Sequence, residues 1–139
     1  MRHAPMRAWR FALRRLLTMM ARVEDLHFDP AFGSETRRIV KTASMHDVTS
    51  ANRARGIRYQ PTRALPLRRV LGAAGIPTDG CFVDLGCGKG RALMVAVLGG
   101  FARVKGVDYS PELCAAARRN LDEFRTRSRR AFAAEVLCL

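Results

Sequence analysis

The sequence predicts an α/β fold built on a short parallel sheet, and three observations carry that prediction. From Gly80 onward, apolar runs of strand length alternate with runs of helical length in the order β–α–β–α–β. The first two strands each end near an acid, Asp84 and Asp108. A glycine triplet, Gly86, Gly88 and Gly90, turns the first strand into the helix after it. Strands of one direction joined by helical crossovers make a parallel sheet of right-handed units.

The elements follow in chain order. Residues 7–22, "RAWRFALRRLLTMMAR", place Trp9, Leu13, Leu16, Leu17 and Met20 at helical spacing, with Arg7, Arg10, Arg14 and Arg15 largely elsewhere on the wheel. This is an amphipathic basic helix, of a kind that packs on a domain, lies on an anionic membrane or forms a transit peptide. "HFDPAFGS" reads as a loop around Pro30 and Gly33, and "SETRRIVKTA" as a helix capped by Ser34. "HDVTSANRARGIRYQPT" has no period and reads as loop. "LPLRRVLGAAG" is a helix with Pro66 in its first turn and Gly75 at its end.

"CFVDLG" follows as a buried strand, and "GRALMVAVLGG" as a helix apolar on nearly all sides. "ARVKGVDYS" holds the second strand. The next helix has Ser110 as N-cap, Pro111 at its first position and an apolar face of Leu113, Ala117, Leu121 and Phe124. "AAEVLCL" begins a third strand. Residues 1–60 thus form a helical and loop extension, and residues 61–139 a partial α/β domain.

Bulk properties limit the function classes. The chain has 139 residues, 48% of them hydrophobic, enough for one modest core. No stretch reaches the roughly 18 apolar residues of a membrane span. The formal charge is +13, nearly all of it from arginine scattered along the chain, so a nucleic acid or anionic membrane surface is a candidate partner. Cys81, Cys87, Cys114 and Cys138 lack metal-ligand spacing and histidine is scarce, so no metal is expected. Cys81 and Cys114 read as small core residues, and Cys87 and Lys89 as loop filler. The thiols and the absence of a secretory pattern point to a cytoplasmic chain.

Open parallel sheets bind ligands at the carboxyl ends of their strands, where both acids lie. A nucleoside triphosphate loop needs G-x-x-x-x-G-K-[ST]; Lys89 is followed by Gly90, and Val83 stands where the first glycine belongs. A dinucleotide loop needs its third glycine one residue later, and Asp84 would face the pyrophosphate. S-adenosylmethionine has no phosphate but carries a sulfonium and an ammonium. Asp84 can attract that cationic end, and glycine amides at Gly86 and Gly88 can approach the methionine part. Asp108 can accept from both ribose hydroxyls, with Tyr109 and Ser110 flanking the adenine.

"FVDLGCGKGRALMVAV" followed by "VKGVDYSPELCAAARRN" resembles the first two motifs of class I S-adenosylmethionine-dependent methyltransferases. The likeness covers about residues 80–139. It implies a Rossmann-like methyltransferase fold, here an incomplete parallel sheet of about three strands with N-terminal helices. By that likeness the cofactor-binding residues are Asp84, Leu85, Gly86, Cys87, Gly88, Gly90, Asp108, Tyr109 and Ser110. "RYQPT" resembles a segment some of these enzymes place over the cofactor, which adds Tyr59 and Thr62. No catalytic base is evident, and the acceptor could be a nucleic acid, a protein or a small molecule.

The family's sheet has seven strands, ordered 3-2-1-4-5-7-6, of which this chain supplies the first, the second and the start of the third. The expectation is therefore an N-terminal portion of such an enzyme, with an unpaired edge beside its first strand and marginal stability. A non-catalytic cofactor-binding remnant and a basic surface-binding protein are the competing readings.

Overall fold

The computed structural model describes residues 4–41 and 58–139. The chain runs α1 (Ala4–Phe32), β1 (Val40–Lys41), β2 (Arg58–Tyr59), α2 (Ala64–Ala73), β3 (Cys81–Leu85), α3 (Arg91–Leu98), β4 (Arg103–Asp108), α4 (Pro111–Ser128) and β5 (Ala133–Cys138). Strands β3, β4 and β5 form a parallel sheet with β4 in the centre, and β1 pairs antiparallel with β2. Asp84 sits opposite Gly106, and Asp108 opposite Cys138. The α/β class and the Rossmann-like order of the partial sheet are those expected.

One face of the sheet is covered and the other is not. Phe82, Val104, Gly106 and Val136 turn toward the helices, while Cys81, Val83, Leu85, Arg103, Lys105, Glu135 and Leu137 are exposed. The expectation of a fully buried first strand, with Cys81 in the core, is therefore corrected. Right-handed crossovers that step in one direction across a sheet keep their helices on one side. Helices reach the second face only where strand order reverses, and β3–β4–β5 does not reverse. Among the described residues β3 has no partner on its outer edge.

Helix α3 is buried along its length from Arg91 to Val97, wedged between the sheet and α2. Its tight seat depends on Gly106. A β-carbon there would stand 2.6 Å from Cys87 Sγ and 2.9 Å from Leu93 Cδ1. Gly106→Ala is expected to cost about 1–3 kcal/mol by overpacking. The check is a urea titration, with a lower midpoint at unchanged slope.

Two N-terminal expectations are overturned. "HFDPAFGS" is not a loop: α1 continues through it to Phe32, with Pro30 inside its last turn. A proline there forfeits one backbone bond, and burial of Phe28 and Phe32 offsets that loss. Gly33, at φ +66°, ends the helix, and the Ser34 amide donates to the Asp29 carbonyl at 3.1 Å, as in a Schellman close. Nor does Ser34 cap a new helix: residues 34–39 are irregular and lead into β1. The Ser34 hydroxyl instead donates to Asp29 Oδ1 at 2.9 Å. The loop expected over residues 46–57 lies outside the described residues.

Helix α2 starts at Ala64, places Pro66 in its first turn, and is followed by Gly75 at φ +58°. Aromatic rings then join the N-terminal helix to the sheet layer. Phe28 meets Phe32 at 5.1 Å, Phe32 meets Phe124 at 4.9 Å, and Phe124 meets Phe132 at 5.7 Å. Residues 28 and 32 thus share one core with residues of the 61–139 segment.

Candidate functional site

The site grows from the ends of β3 and β4. The loop after β3 has Gly86, Gly88 and Gly90 at φ +87°, +53° and +83°, a left-handed backbone that side chains resist. Its amides are mostly spent internally. Those of Gly86 and Cys87 both donate to the Val107 carbonyl, at 2.8 and 2.9 Å, and Gly90 donates to the Cys87 carbonyl. The amide of Gly88 donates to Asp108 Oδ2 at 2.8 Å. The expectation of free loop amides at Gly86 and Gly88 is corrected accordingly: they lock the loop onto β4. Gly86 is exposed, with open space where a β-carbon would stand. Gly90 is the N-cap of α3.

Asp108 is buried, and its second oxygen accepts from the Ser110 amide at 3.0 Å. An ionised carboxylate has about four acceptor positions, so two remain for a ligand. Ser110 is fully buried as the N-cap of α4, its hydroxyl accepting from the Leu113 amide. Tyr109 is half-buried and, like Val40 and Tyr59, packs against Leu113. Leu85 is 81% exposed on the open sheet face, and Thr62 is exposed between β2 and α2.

Asp84 is half-buried, and among the described residues no donor meets its carboxylate. Burial raises its pKa above the ordinary 3.8, and the Asp108 charge raises it further. The two acids therefore feel each other at one end of the sheet. Together they make a local field that disfavours a third negative charge and favours a cation. Cys87 lies in the same field: burial, then Asp108 and Asp84, push its thiol up to about 12. A neutral buried thiol is a poor nucleophile, so no nucleophilic role is assigned to Cys87.

A strap of residues 34–41 and 58–63 covers the loop, and much of it was invisible to sequence reasoning. Asp29, at the end of α1, accepts from the Thr36 hydroxyl at 2.6 Å, the Thr36 amide at 2.9 Å and the Arg37 amide at 2.8 Å. Burial works against its charge, but hydrogen bonds from Thr36, Arg37 and Ser34 outweigh burial and lower its pKa. The Tyr59 hydroxyl donates to the Thr36 carbonyl at 2.7 Å. Burial holds that phenol far above its usual range, so it stays a donor. Its ring lies directly over Gly88, where any β-carbon would strike it.

Lys89 is not filler. It is buried, its ammonium lies 5.6 Å from the Tyr59 ring centroid, and it pairs with Glu35 at 3.3 Å. Asn120 of α4 joins both segments: its Oδ1 accepts from the Glu35 amide and its Nδ2 donates to the Lys89 carbonyl. Arg91, 2% exposed, reaches Asp25 at 3.0 Å and Asp29 at 3.6 Å, with the Phe28 ring at 4.7 Å. The available signal for Arg91 was a cation at the start of an otherwise apolar helical run. Beside the strap, a cavity of about 280 Å³ is lined by Glu35, Arg38, Lys89, Glu112 and Arg119 among others; neither Asp84 nor Asp108 lines it.

Among the described residues no cluster of three or more His, Cys, Asp or Glu could hold a metal. No helix among them is long and apolar enough to cross a membrane.

Residues 83–136 match the family model described as methyltransferase domain. No curated protein matches the sequence. Among solved structures, an RNA methyltransferase from Salinibacter ruber, complexed with S-adenosyl-L-homocysteine, is 25% identical over 57% of this chain and 49% of its own, with a TM-score of 0.47. A SAM-dependent methyltransferase from Thiobacillus denitrificans, in the same type of complex, is 18% identical over 52% of this chain and 28% of its own, at 0.43. A putative RNA methyltransferase from Pyrococcus horikoshii is 20% identical over 70% of this chain and 46% of its own, at 0.46. This chain spans half or less of the length of each. The matched segment runs from β3 through the glycine loop and Asp108 into β5. Over residues 83–136 the chain is similar to methyltransferase domains.

Proposed function

We propose that this chain binds S-adenosylmethionine across the tips of β3 and β4 and serves methyl transfer to an acceptor. The observation that carries the reading is the half-buried Asp84 carboxylate, facing no described donor, beside Asp108 and the positive-φ glycine loop. That donor set suits a ligand with a cationic amino-acid end and a sugar, and it repels a phosphate. When bound, S-adenosylmethionine supplies a methyl group already activated on a sulfonium.

In this reading the chain's own residues bind and orient. Asp84 neutralises the ammonium, and the outer turn at Gly86 admits close approach. Asp108 offers its two remaining acceptor positions to ribose hydroxyls while its other two hold Gly88 and Ser110. Tyr109 flanks the base, and Tyr59 and Thr62 reach it from the strap. Leu85 contributes backbone, since its side chain points onto the open face. Positioning of an activated donor supplies much of such catalysis, so no base is assigned. The four free thiols fit a reducing compartment, and we read the chain as cytoplasmic.

Titration calorimetry with S-adenosylmethionine and S-adenosylhomocysteine tests binding, and a methyl-transfer assay over nucleic-acid, protein and small-molecule acceptors tests turnover. Asp108→Ala is expected to weaken binding at least about tenfold, by loss of charge-assisted bonds worth roughly 1.5–3 kcal/mol each. Unchanged affinity would remove the ribose assignment. Binding without turnover would make the chain a cofactor-binding module.

A further inference from the structure

The geometry points to the N-terminal part of α1 as a surface-anchoring helix that lies on an anionic lipid bilayer. Trp9, Leu13, Leu16, Met20 and Val23 recur at helical spacing and form one continuous stripe. All five are exposed, Trp9 at 65%, and no described element covers them. The domain is held by a different side of the same helix. Ala21 and Phe28 are buried, and Asp25 meets Arg91, about a third of a turn around the axis. The stripe is therefore free while the helix is docked.

Charge selects the occupant. Arg10, Arg14, Arg15 and Arg22 lie on the other sides of the wheel, and no acid occurs from Trp9 to Val23. Arg15 lies 5.7 Å from the Phe11 ring centroid, on the polar side of the wheel. The acids farther along α1, Glu24 and Asp25, are already paired with Arg68 and Arg91. A second copy of α1 seated on the stripe would bring ten arginines together, with no carboxylate between Trp9 and Val23 of either copy. The open sheet face of a second copy presents Arg103, with Lys105 already paired to Glu135. A nucleic acid would satisfy the arginines and leave the apolar stripe in water. An anionic bilayer satisfies both: the stripe enters the acyl boundary while the arginines stay with the headgroups.

Trp9 is the chain's single tryptophan, so its fluorescence reports this helix alone. The full chain is titrated with vesicles rich in phosphatidylglycerol and with pure phosphatidylcholine vesicles, alongside co-sedimentation. A blue shift and co-sedimentation with the anionic vesicles alone, weakened by salt, are expected. Arg14→Gln with Arg15→Gln should reduce partitioning about 25-fold, since each cation near such a surface is worth about fivefold. Leu16→Glu with Met20→Glu should reduce it at least about tenfold. Both positions are exposed, and circular dichroism verifies folding. The inference is overturned if anionic vesicles produce no shift, or if the Leu16 and Met20 pair of changes leaves partitioning intact. It is equally overturned if a concentration-dependent dimer shifts Trp9 without lipid and blocks vesicle binding. An oligonucleotide that shifts Trp9 and outcompetes vesicles would assign the helix to nucleic acid instead.

Discussion

Asp84→Asn is expected to lower S-adenosylmethionine affinity roughly ten- to hundredfold while raising the melting temperature of the free protein. The first effect follows from loss of one charge-assisted contact to an ammonium. The second follows from burial and from Asp108, which both disfavour the ionised carboxylate in the folded state. A side chain that costs stability and serves a ligand is the signature of a functional group. The pH dependence has a definite sign. The folded pKa lies above the unfolded value, so the folded state holds the proton longer. Stability from this group is present below about pH 4 and is lost as pH rises through the folded pKa. The variant's advantage should therefore vanish in acid and grow toward neutrality. Calorimetric affinities and melting curves across pH check both halves. A variant that binds normally, or that melts lower at neutral pH, removes Asp84 from the proposed role.

Arg91→Ala is expected to destabilise the chain by about 3–5 kcal/mol, the largest stability effect of any single substitution considered. Arg91 is nearly inaccessible, and its guanidinium meets Asp25 and Asp29 and accepts the Phe28 ring. Removing one partner of a buried ion cluster strands the other charges, which costs far more than the cluster's net worth. Asp29 also anchors Thr36 and Arg37, so the damage should spread to the strap over Gly88. Hydrogen exchange should accelerate at the Thr36 and Arg37 amides before it does at Val104 in the sheet. Combining Arg91→Met with Asp25→Asn should recover part of the loss by deleting the stranded charge. Uniform acceleration across the sheet, with no preference for the strap, would show that Arg91 supports the core in general and not the strap.

Much of residues 80–139 was legible because its determinants are local. The three glycines accept left-handed backbone, and the turn they make is written in their identity. Ser110 and Pro111 start α4 by satisfying or lacking amides of its first turn. Tyr59 was legible as a neighbour of the loop but not as a ring seated on Gly88. The N-terminal half read poorly because its reasons are distant. Pro30 looks like a loop residue, yet α1 runs through it, since Phe28 packs on Phe32 and Phe32 on Phe124, nearly a hundred residues away. Lys89 and Arg91 look like ordinary loop and helix-end cations, yet their partners lie on α1 and the strap.

By itself the sequence determined the parallel α/β order, the glycine turn, and two acids at neighbouring strand ends. These follow from residue period and backbone permissiveness, which act over a few positions. Tertiary structure alone decided that loop amides are spent on Val107 and Asp108, that one sheet face stays open, and that a strap tied to α1 covers Gly88. Such features depend on which buried charges and amides find partners across long stretches of chain, and no local pattern encodes that pairing.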